Sequence, residues 1–492
     1  MEEKYMKSKK IIMITMCCLI CIMAIGYAAF ATNLTINGTA NITSTWKVLF
    51  TKIEEVSKTS GVTITKVPTA EGTNATFNVD LKSPGDKIIY KITVANQGTL
   101  DAIINDITAS ETGSDAIKFE ISGIKKGDKL AKATTTTFNV TISYDESITS
   151  QPETTNNTLT VNINYVQDLG QTITSEDVVI DKKILLSTQI LKDNSIQSDS
   201  NIDFSTTNGN GLYYTSTNTE DNKVTYYFRG WGINNYVSFA DNIWRIIRIN
   251  EDESIRLIKQ ENIGESAFNE NNNDNAYVGY MYGTAGSTTY DITHTNVNSS
   301  TIKTVIDKWY EDNLKNYNGY LADAGFCGDR SVAPSANTWD SNDTALGYGT
   351  NYTVYGPPSR LSSSYGSAGV NPQFKCPQSN DLYTTMTSTK GNKTLTYPIG
   401  LITADEVAYA GGKASSINNS YYLANVGGNF WTMSPSSASS ESGMYGRFEM
   451  GILGSDDGSK TLNVLPVINL KSTVEITGGD GASSNPYVIK TN

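Results

Sequence analysis

A short helix with both ends marked in the sequence is the feature that most constrains the fold of this chain. Thr403 and Glu406 have the spacing of a capping box, in which each side chain satisfies a free backbone N–H group of the other residue. Gly411 or Gly412 supplies the left-handed residue that ends such a helix. The spacing predicts a helix of about two turns within residues 403–412.

Two β segments are expected after this helix. Residues 429–431 read Asn-Phe-Trp, and residues 464–470 are rich in β-branched side chains. Both compositions favour strands, because such side chains pack well on a pleated surface. The predicted order is therefore a short capped helix, a tryptophan strand and a closing strand, an α+β arrangement.

The charge balance excludes one class of partner. The 492 residues include 38 Lys and Arg against 50 Asp and Glu, a net charge of −12, with no run of five basic residues. Because phosphate binding needs a concentrated positive surface, we expect no nucleic-acid partner. The length allows two or three domains, and the abundance of Ser, Thr, Asn, Gly and Tyr is typical of a secreted or wall-exposed bacterial surface protein.

The first 31 residues have the pattern of a secretory signal peptide. Four lysines precede an apolar run over residues 11–25, and Ala29 and Ala31 occupy the small-residue positions that a signal peptidase requires. An uncleaved signal anchor is the alternative, since the apolar run approaches the roughly 20 residues that span a bilayer. We expect Sec-type export to the cell surface or medium, with membrane contact only through this segment.

The small numbers of cysteines and histidines limit the kinds of catalysis that are open to this chain. After signal cleavage only Cys327 and Cys376 remain, and in an oxidising compartment they most simply form one disulfide that closes a long loop. His294 is the only histidine, which excludes Ser-His-Asp or Cys-His catalysis unless that residue serves. We expect His294 to lie exposed in a loop, and the protein not to be an enzyme.

Residues 32–168 are expected to form an all-β sandwich. Apolar and polar residues alternate with the period of a half-buried strand in six segments, residues 46–50, 76–81, 87–94, 117–121, 138–144 and 159–165. Two antiparallel sheets packed face to face are the economical arrangement. Residues 83–102 resemble a motif of immunoglobulin-like repeats in bacterial surface proteins, which fits an immunoglobulin-like sandwich and a jelly-roll equally. Such a domain usually acts as a stalk or a fibre building block.

Residues 169–200 are expected to connect this domain to the next one. A short amphipathic helix is predicted over residues 181–192, with its apolar stripe at helical spacing. That stripe consists of Ile184, Leu185, Thr188 and Leu191.

The distal domain, residues 201–492, contains the clearest amphipathic pattern, a helix over residues 300–310. Three arginines lie in its early strands. Arg245 and Arg248 fall on opposite faces of one predicted strand, and with Arg256 we expect them to straddle a sheet edge and not to form one anion site.

Two acidic, glycine-rich loops are candidate calcium sites. Asp456, Asp457 and Asp480 would supply oxygen ligands to the ion. Turn chemistry explains the same residues, because Asp-Gly and Gly-Gly are preferred in hairpins. We therefore expect no cofactor, with a calcium ion at these loops as the alternative.

Aromatic residues are the candidate ligand-binding groups. Tyr277, Tyr280 and Tyr282 lie in a loop-like stretch and are expected to be exposed. Trp244 and Trp431 would stack on a sugar if exposed, but tryptophans inside strands are usually core residues.

Several of these motifs resemble known families. Residues 397–412 and 428–431 resemble the helix and the glycine-asparagine-x-tryptophan stretch of formylglycine-generating-enzyme-like proteins. Closer is the resemblance to a domain of unknown function in Gram-positive gut bacteria, which residues 244–246, 431–435 and 466–470 match in order. Both imply a C-type-lectin-like fold. No cysteine follows Cys376, so the copper-dependent activity of the formylglycine-generating enzymes is not implied.

The signal segment also carries a resemblance. Residues 25–32 are similar to the signal peptides of camelysin and biofilm-fibre proteins, which a dedicated (SipW-type) peptidase processes. Together these features predict a non-enzymatic surface protein in which a β-sandwich stalk presents a lectin-like domain to an extracellular ligand, a glycan or a matrix protein. A matrix or fibre subunit is the alternative, and an enzyme on a formylglycine-generating-like scaffold is less favoured.

Overall fold

The computed structural model describes most of the chain beyond the predicted signal segment. The described residues are 44–152, 155–333, 346–362, 370–414, 416–438, 442–448 and 451–491. The predicted cleavage residues Ala29 and Ala31 lie outside them. The described part is mostly β-strand in several sheets, as predicted for a β-rich multi-domain chain. None of its helices combines the length and apolar character needed to cross a membrane.

The strands vary from 2 to 12 residues in length. In chain order they are β1 (Val48–Lys58), β2 (Val62–Glu71), β3 (Asn74–Leu81), β4 (Lys87–Asn96), β5 (Ala102–Gly113), β6 (Ile117–Ser122), β7 (Lys129–Leu130), β8 (Thr135–Tyr144), β9 (Asn157–Gln167), β10 (Ile180–Lys182), β11 (Ile184–Leu185), β12 (Ile196–Ser198), β13 (Gly211–Thr215), β14 (Thr225–Arg229), β15 (Tyr236–Phe239), β16 (Asn242–Ile249), β17 (Ile255–Lys259), β18 (Glu265–Ala267), β19 (Met281–Tyr282), β20 (Asn298–Ser299), β21 (Phe326–Cys327), β22 (Thr353–Val354), β23 (Leu382–Tyr383), β24 (Ile399–Gly400), β25 (Lys413–Ala414), β26 (Phe430–Ala438), β27 (Ser442–Arg447), β28 (Ile452–Asp457), β29 (Thr461–Asn463), β30 (Val467–Leu470), β31 (Glu475–Gly478) and β32 (Tyr487–Ile489).

The helices are short. The α-helices are α1 (Leu186–Asp193), α2 (Tyr290–Thr293), α3 (Thr301–Asn313), α4 (Gly356–Leu361) and α5 (Ala404–Ala410). Short 3₁₀ helices lie at Asp199–Asn201, Asn275–Val278, Lys315–Tyr320, Ser379–Asp381 and Tyr422–Asn425.

Backbone contacts divide the chain into two compact units. The first contains the residues up to Ala109 together with Lys118–Ser147 and Val161–Ile180. The second contains Ser110–Ile117, Ile148–Thr160 and Asp181–Asn492. The helix of the predicted connector therefore belongs to the second unit.

The first unit is built around β4, which pairs antiparallel with both β1 and β8. Every second side chain of β4 is buried, as in Ile88, Tyr90 and Ile92, so the predicted alternation is confirmed. The hairpin of β2 and β3 forms its own two-stranded sheet, and β5, β7 and β9 belong to another. The sequence did not predict β2 or β5.

The second unit is organised around two larger sheets. In the eleven-stranded sheet β14, β16, β17 and β30 are consecutive neighbours, whereas β26, β27 and β28 are neighbours in a seven-stranded sheet. Trp244 of β16 and Trp431 of β26 are fully buried, which confirms that they are core residues. The Trp431 indole N–H donates to the Ser266 carbonyl at 3.0 Å. The predicted closing strand is β30, which begins at Val467.

Two of the predicted helices are confirmed in position and burial. Ser300 caps α3, which buries Ile302 and Ile306 of the predicted stripe. In α5 the capping box of Thr403 and Glu406 is complete, and Gly411 ends the helix with a φ of 122°. All seven residues of α5 are buried, so tertiary packing holds a helix too short to be stable alone.

The predicted apolar stripe of the connector helix is wrong. Ile184 and Leu185 form β11 and pair with β31, so the helix begins at Leu186. The residues that α1 buries are Leu186, Ser187 and Ile190, whereas Ile184 remains exposed. Pairing with a strand almost 300 positions later set the helix start, and the local pattern does not contain that information.

Candidate functional site

A cavity of about 410 Å³ lies within the second unit. Its size is in the range of small-molecule binding sites. The floor combines the ends of β16 and β17 with the first turn of α5, and the walls are loops that include Cys327 and residues 384–390. More acidic than basic side chains line it. We refer to it as the main cavity.

Glu406 stands at the centre of the floor. Its Oε1 atom lies 2.6 Å from Arg256 Nε and 3.1 Å from Arg248 Nε. Its Oε2 atom accepts the Thr403 backbone N–H at 3.0 Å, which is the second bond of the capping box. One carboxylate thus starts a helix and pairs with two buried arginines, and Glu251, 3.8 Å from Arg248 Nη1, supplies a second negative charge.

Strand register brings the two arginines together. A bulge in β16 between Ile246 and Arg248 places Arg248 directly opposite Arg256 of β17. The two guanidinium groups pack over aromatic rings, at 4.6 Å from Phe374 for Arg248 and 4.8 Å from Phe326 for Arg256. Burial lowers the pKa of Arg256 to about 10 even though the carboxylate of Glu406 opposes this change.

A second ion-pair cluster forms one side of the main cavity. Arg360 of α4 forms a bidentate ion pair with Asp405. Its Nε atom donates to Oδ1 at 2.7 Å and its Nη2 atom donates to Oδ2 at 2.9 Å. Its Nη1 atom donates to Asp329 Oδ2 at 2.6 Å. Burial disfavours the charge on Arg360, but the two carboxylates outweigh burial and raise the pKa of Arg360. The side chains that form these pairs are therefore held in fixed positions.

Bonds between separate segments of the chain surround the opening of the main cavity. The predicted disulfide between Cys327 and Cys376 is confirmed, and it links the end of β21 to a loop 49 positions later in the sequence. The Cys376 N–H donates to Glu220 Oε2 at 2.7 Å, and Lys390 pairs with Asp221 at 2.6 Å. These bonds join three separate loops around the opening.

Apart from Arg256 Nε, which lies 2.6 Å from Glu406 in an ion pair, three polar atoms of the lining have no hydrogen-bond partner among the described residues. They are Arg248 Nη1, a donor, and Asn250 Oδ1 and Asp323 Oδ1, two acceptors. Arg248 is 9% exposed and Asn250 is 4% exposed. Burial raises the pKa of Asp323, whose other oxygen accepts from Thr385. Buried polar groups are normally satisfied, so these atoms indicate where a ligand or water binds.

The tyrosines predicted as ligand-binding groups lie elsewhere. Tyr280 is fully buried, so its predicted exposure is wrong; its ring packs edge-on against Tyr383 in the core. Tyr277 and Tyr282 are half-buried and contact each other, with ring centres 5.3 Å apart. None of the three lines the main cavity.

The three candidate calcium ligands are not brought together. Asp456 and Asp457 end β28 in the seven-stranded sheet, whereas Asp480 follows β31 in the other large sheet. Each accepts bonds from its own turn: Asp457 from Ser459, Asp480 from Ala482. No group of three or more His, Cys, Asp or Glu side chains that could hold a metal ion occurs in the described residues. Turn chemistry accounts for all three aspartates.

His294 is not exposed as the sequence suggested. It is 1% exposed, and its Nε2 atom lies 2.9 Å from the Gly347 carbonyl, to which it donates. Burial, with the nearby positive charge of Arg330, lowers the pKa of His294 to about 2. The polar neighbours of His294 in the sequence suggested a loop, but the chain folds back over them.

The prediction for the arginines is wrong in part. Arg248 and Arg256 lie inside the sheet, not at its edge, and share Glu406, whereas Arg245 lies apart from them. One signal for this contact is present in the sequence. A charged residue such as Arg248 inside an apolar strand needs a buried partner of opposite charge, and the acidic residues of the capped helix were the candidates.

Comparison with known proteins does not assign the chain to a family. No protein-family model matches the chain, and no curated protein matches it.

Proposed function

We propose that the chain is an exported bacterial surface protein that recognises an extracellular ligand and is not an enzyme. In this proposal the first unit is a stalk, an immunoglobulin-like or jelly-roll sandwich, and the second unit is a C-type-lectin-like recognition domain. The single observation that carries the proposal is the main cavity, where polar atoms of Arg248, Asn250 and Asp323 have no hydrogen-bond partner among the described residues and lie among fixed ion pairs, although Arg248 Nη1 is 3.8 Å from Glu251.

The chemistry of these atoms favours a glycan as the ligand. A sugar hydroxyl both donates and accepts, so it matches a lining in which Arg248 donates and Asn250 and Asp323 accept. The ion pairs of Glu406 and Arg360 hold the walls in place before binding, which reduces the conformational entropy that a ligand must overcome.

The lectin-like assignment is supported by the positions of the motifs that carry the resemblance. Trp244 lies on β16, Trp431 on β26 and Pro466 directly before β30, all at or beside buried strands of the second unit. The capped helix α5 contributes Asp405 and Glu406 to the main cavity. The strand motifs are therefore core elements, and the helix motif is also part of the candidate site.

Export is supported by the disulfide and by the pattern of residues 1–31. A bond between Cys327 and Cys376 persists in oxidising compartments and is rare in the cytosol. Mass spectrometry of the protein from its own cells tests this: we expect surface or medium fractions to contain a chain that starts at Thr32. Recovery only from the cytosol, with residues 1–31 intact, contradicts export.

A glycan array with the purified protein tests recognition. Binding should be selective and should persist in a calcium chelator. Two variants of one loop localise the site: Thr387→Trp places a bulky ring in the lining of the main cavity, whereas Met386→Trp adds the same ring at a neighbouring position that is 83% exposed and outside the lining.

The two variants should behave differently. Thr387→Trp should lower glycan binding at least ten-fold, about 1.4 kcal/mol, by filling the cavity, and Met386→Trp should bind as the parent does. Binding that both variants retain moves the recognition site elsewhere. Absence of binding to every glycan contradicts the proposal and favours the matrix or fibre subunit.

A further inference from the structure

A second cavity, of about 320 Å³, lies elsewhere on the second unit. Trp231 is at its border with half of its surface exposed to solvent. The Trp231 backbone N–H donates to Asn210 Oδ1 at 2.8 Å, so the residue is held in place although its ring faces solvent. An exposed tryptophan beside a cavity is a platform on which the flat face of a ligand can stack.

Arg245 forms part of the base of this second cavity. It is 5% exposed, and its guanidinium lies 3.8 Å from the centre of the Tyr236 ring. Only its Nε atom has a short hydrogen bond, to Asn235 Oδ1 at 2.6 Å. The two Nη atoms reach Gln260 and the Ile233 carbonyl at 3.5 Å, the outer limit for a hydrogen bond.

No carboxylate of the described residues forms an ion pair with Arg245, and burial lowers the pKa of its guanidinium. This distinguishes it from Arg248 and Arg256, which share the carboxylate of Glu406. Buried charges are normally paired, because removing an ion from water costs several kcal/mol. An anionic ligand would supply the missing counter-charge.

Tyr422 also lines this cavity. It is 2% exposed, and its buried hydroxyl has no hydrogen-bond partner among the described residues. Its ring lies 5.2 Å from the Arg245 guanidinium. A planar anion in the cavity would therefore meet the N–H groups of Arg245 and the O–H group of Tyr422.

We propose that the second cavity binds the carboxylate of an acidic sugar, whose ring stacks on Trp231. The carboxylate pairs with Arg245 and accepts a hydrogen bond from Tyr422. The amide side chains of Asn234, Gln260 and Asn425 line the same cavity and match the hydroxyl groups of the ring. This site is separate from the main cavity and does not depend on the function proposed for it.

Calorimetric titration of the purified protein with three probes tests the proposal. Glucuronate has the ring and the carboxylate, glucose has the ring alone, and acetate has the carboxylate alone. We expect glucuronate to bind and the other two to bind at least about ten-fold more weakly, because glucose leaves the buried Arg245 unpaired and acetate makes no stacking contact. Equal binding of glucose and glucuronate overturns the proposal, as does absence of glucuronate binding.

Matched variants locate the site. Trp231→Ala and Tyr422→Phe should each weaken glucuronate binding about ten-fold or more. Trp46→Ala removes a tryptophan of similar exposure, 46%, from the first unit and should leave binding unchanged. Thr387→Trp, which fills the main cavity, should also leave it unchanged.

The Tyr422→Phe variant distinguishes a loss of glucuronate binding from a loss of folding. Within the described part of the chain the lost hydroxyl makes no hydrogen bond, so the substitution should not lower the thermal stability of the protein. Full glucuronate affinity in both Trp231→Ala and Tyr422→Phe refutes the site. Loss of glucuronate binding in Thr387→Trp places the sugar in the main cavity and also refutes it.

Discussion

His294 should remain neutral in the folded protein far below the pH at which histidine usually gains a proton. Its Nε2–H group donates to Gly347, its Nδ1 atom has no partner among the described residues, and the ring of Tyr290 lies 4.3 Å away. Protonation would bury an unpaired N–H donor and a positive charge near Arg330. The carboxylate of Asp381 already pairs with Arg330, with Oδ1 at 2.7 Å from Nη2.

The effect on stability follows from the two pKa values. The unfolded chain has an ordinary histidine pKa of about 6.5, and the folded chain has one of about 2. The lowered pKa means that the folded state binds fewer protons, so its stability advantage is complete above pH 6.5 and is lost as the pH falls. At about 1.4 kcal/mol for each pH unit, the loss at pH 5 is about 2 kcal/mol.

Because His294 is the only histidine, its titration can be observed alone. Selective ¹³C-histidine labelling gives one imidazole NMR signal, which should not shift between pH 8 and pH 4 in the folded protein. In urea the same signal should titrate near pH 6.5. A midpoint between pH 6 and pH 7 in the folded protein would refute the buried environment described above.

Chemical denaturation measures how much the lowered pKa of His294 changes the free energy of unfolding. Between pH 7.5 and pH 5 the free energy of unfolding should fall about 2 kcal/mol more in the parent protein than in His294→Gln, which keeps a donor for Gly347 but does not titrate. Equal pH dependence in the two proteins would contradict the reasoning.

Three other substitutions test the core of the second unit by urea denaturation. Glu406→Gln should lower the free energy of unfolding by about 3–5 kcal/mol, because the buried Arg256 loses its counter-charge and Arg248 keeps only the more distant Glu251. The exposed control Glu311→Gln should change it by less than about 0.5 kcal/mol, and similar values for the two would contradict the ion cluster. Thr403→Ala should cost about 1 kcal/mol through loss of the helix cap, and no change would mean that the cap adds nothing. Replacement of both Cys327 and Cys376 by serine should cost about 4 kcal/mol for a loop of 49 positions, and unchanged stability would exclude a structural role for the bond.

Features that depend on neighbouring residues could be predicted from the sequence. The capping box joins Thr403 and Glu406 over three positions, and the alternation of β4 lies within one strand. The core role of Trp244 and Trp431 followed from residue type and strand pattern. In each case the physical cause acts within one turn or one strand.

The candidate site could not be predicted in this way. Arg248 and Glu406 are 158 positions apart, and their contact depends on a bulge that shifts the strand register by one residue. The burial of His294 and Tyr280 likewise depends on distant segments that cover them. Local sequence shows which residues are charged or aromatic, but only the assembled sheets decide which of them meet.

The dual role of Glu406 has a consequence for the native-state dynamics of α5. A helix of seven residues would ordinarily fray in microseconds, independently of the rest of the domain. Here one oxygen of Glu406 holds the first turn and the other holds two strands, so the helix cannot open without exposing both arginines. The amide hydrogens of α5 should therefore exchange with solvent only when the whole second unit unfolds, which would make this short segment part of its slowest-exchanging core.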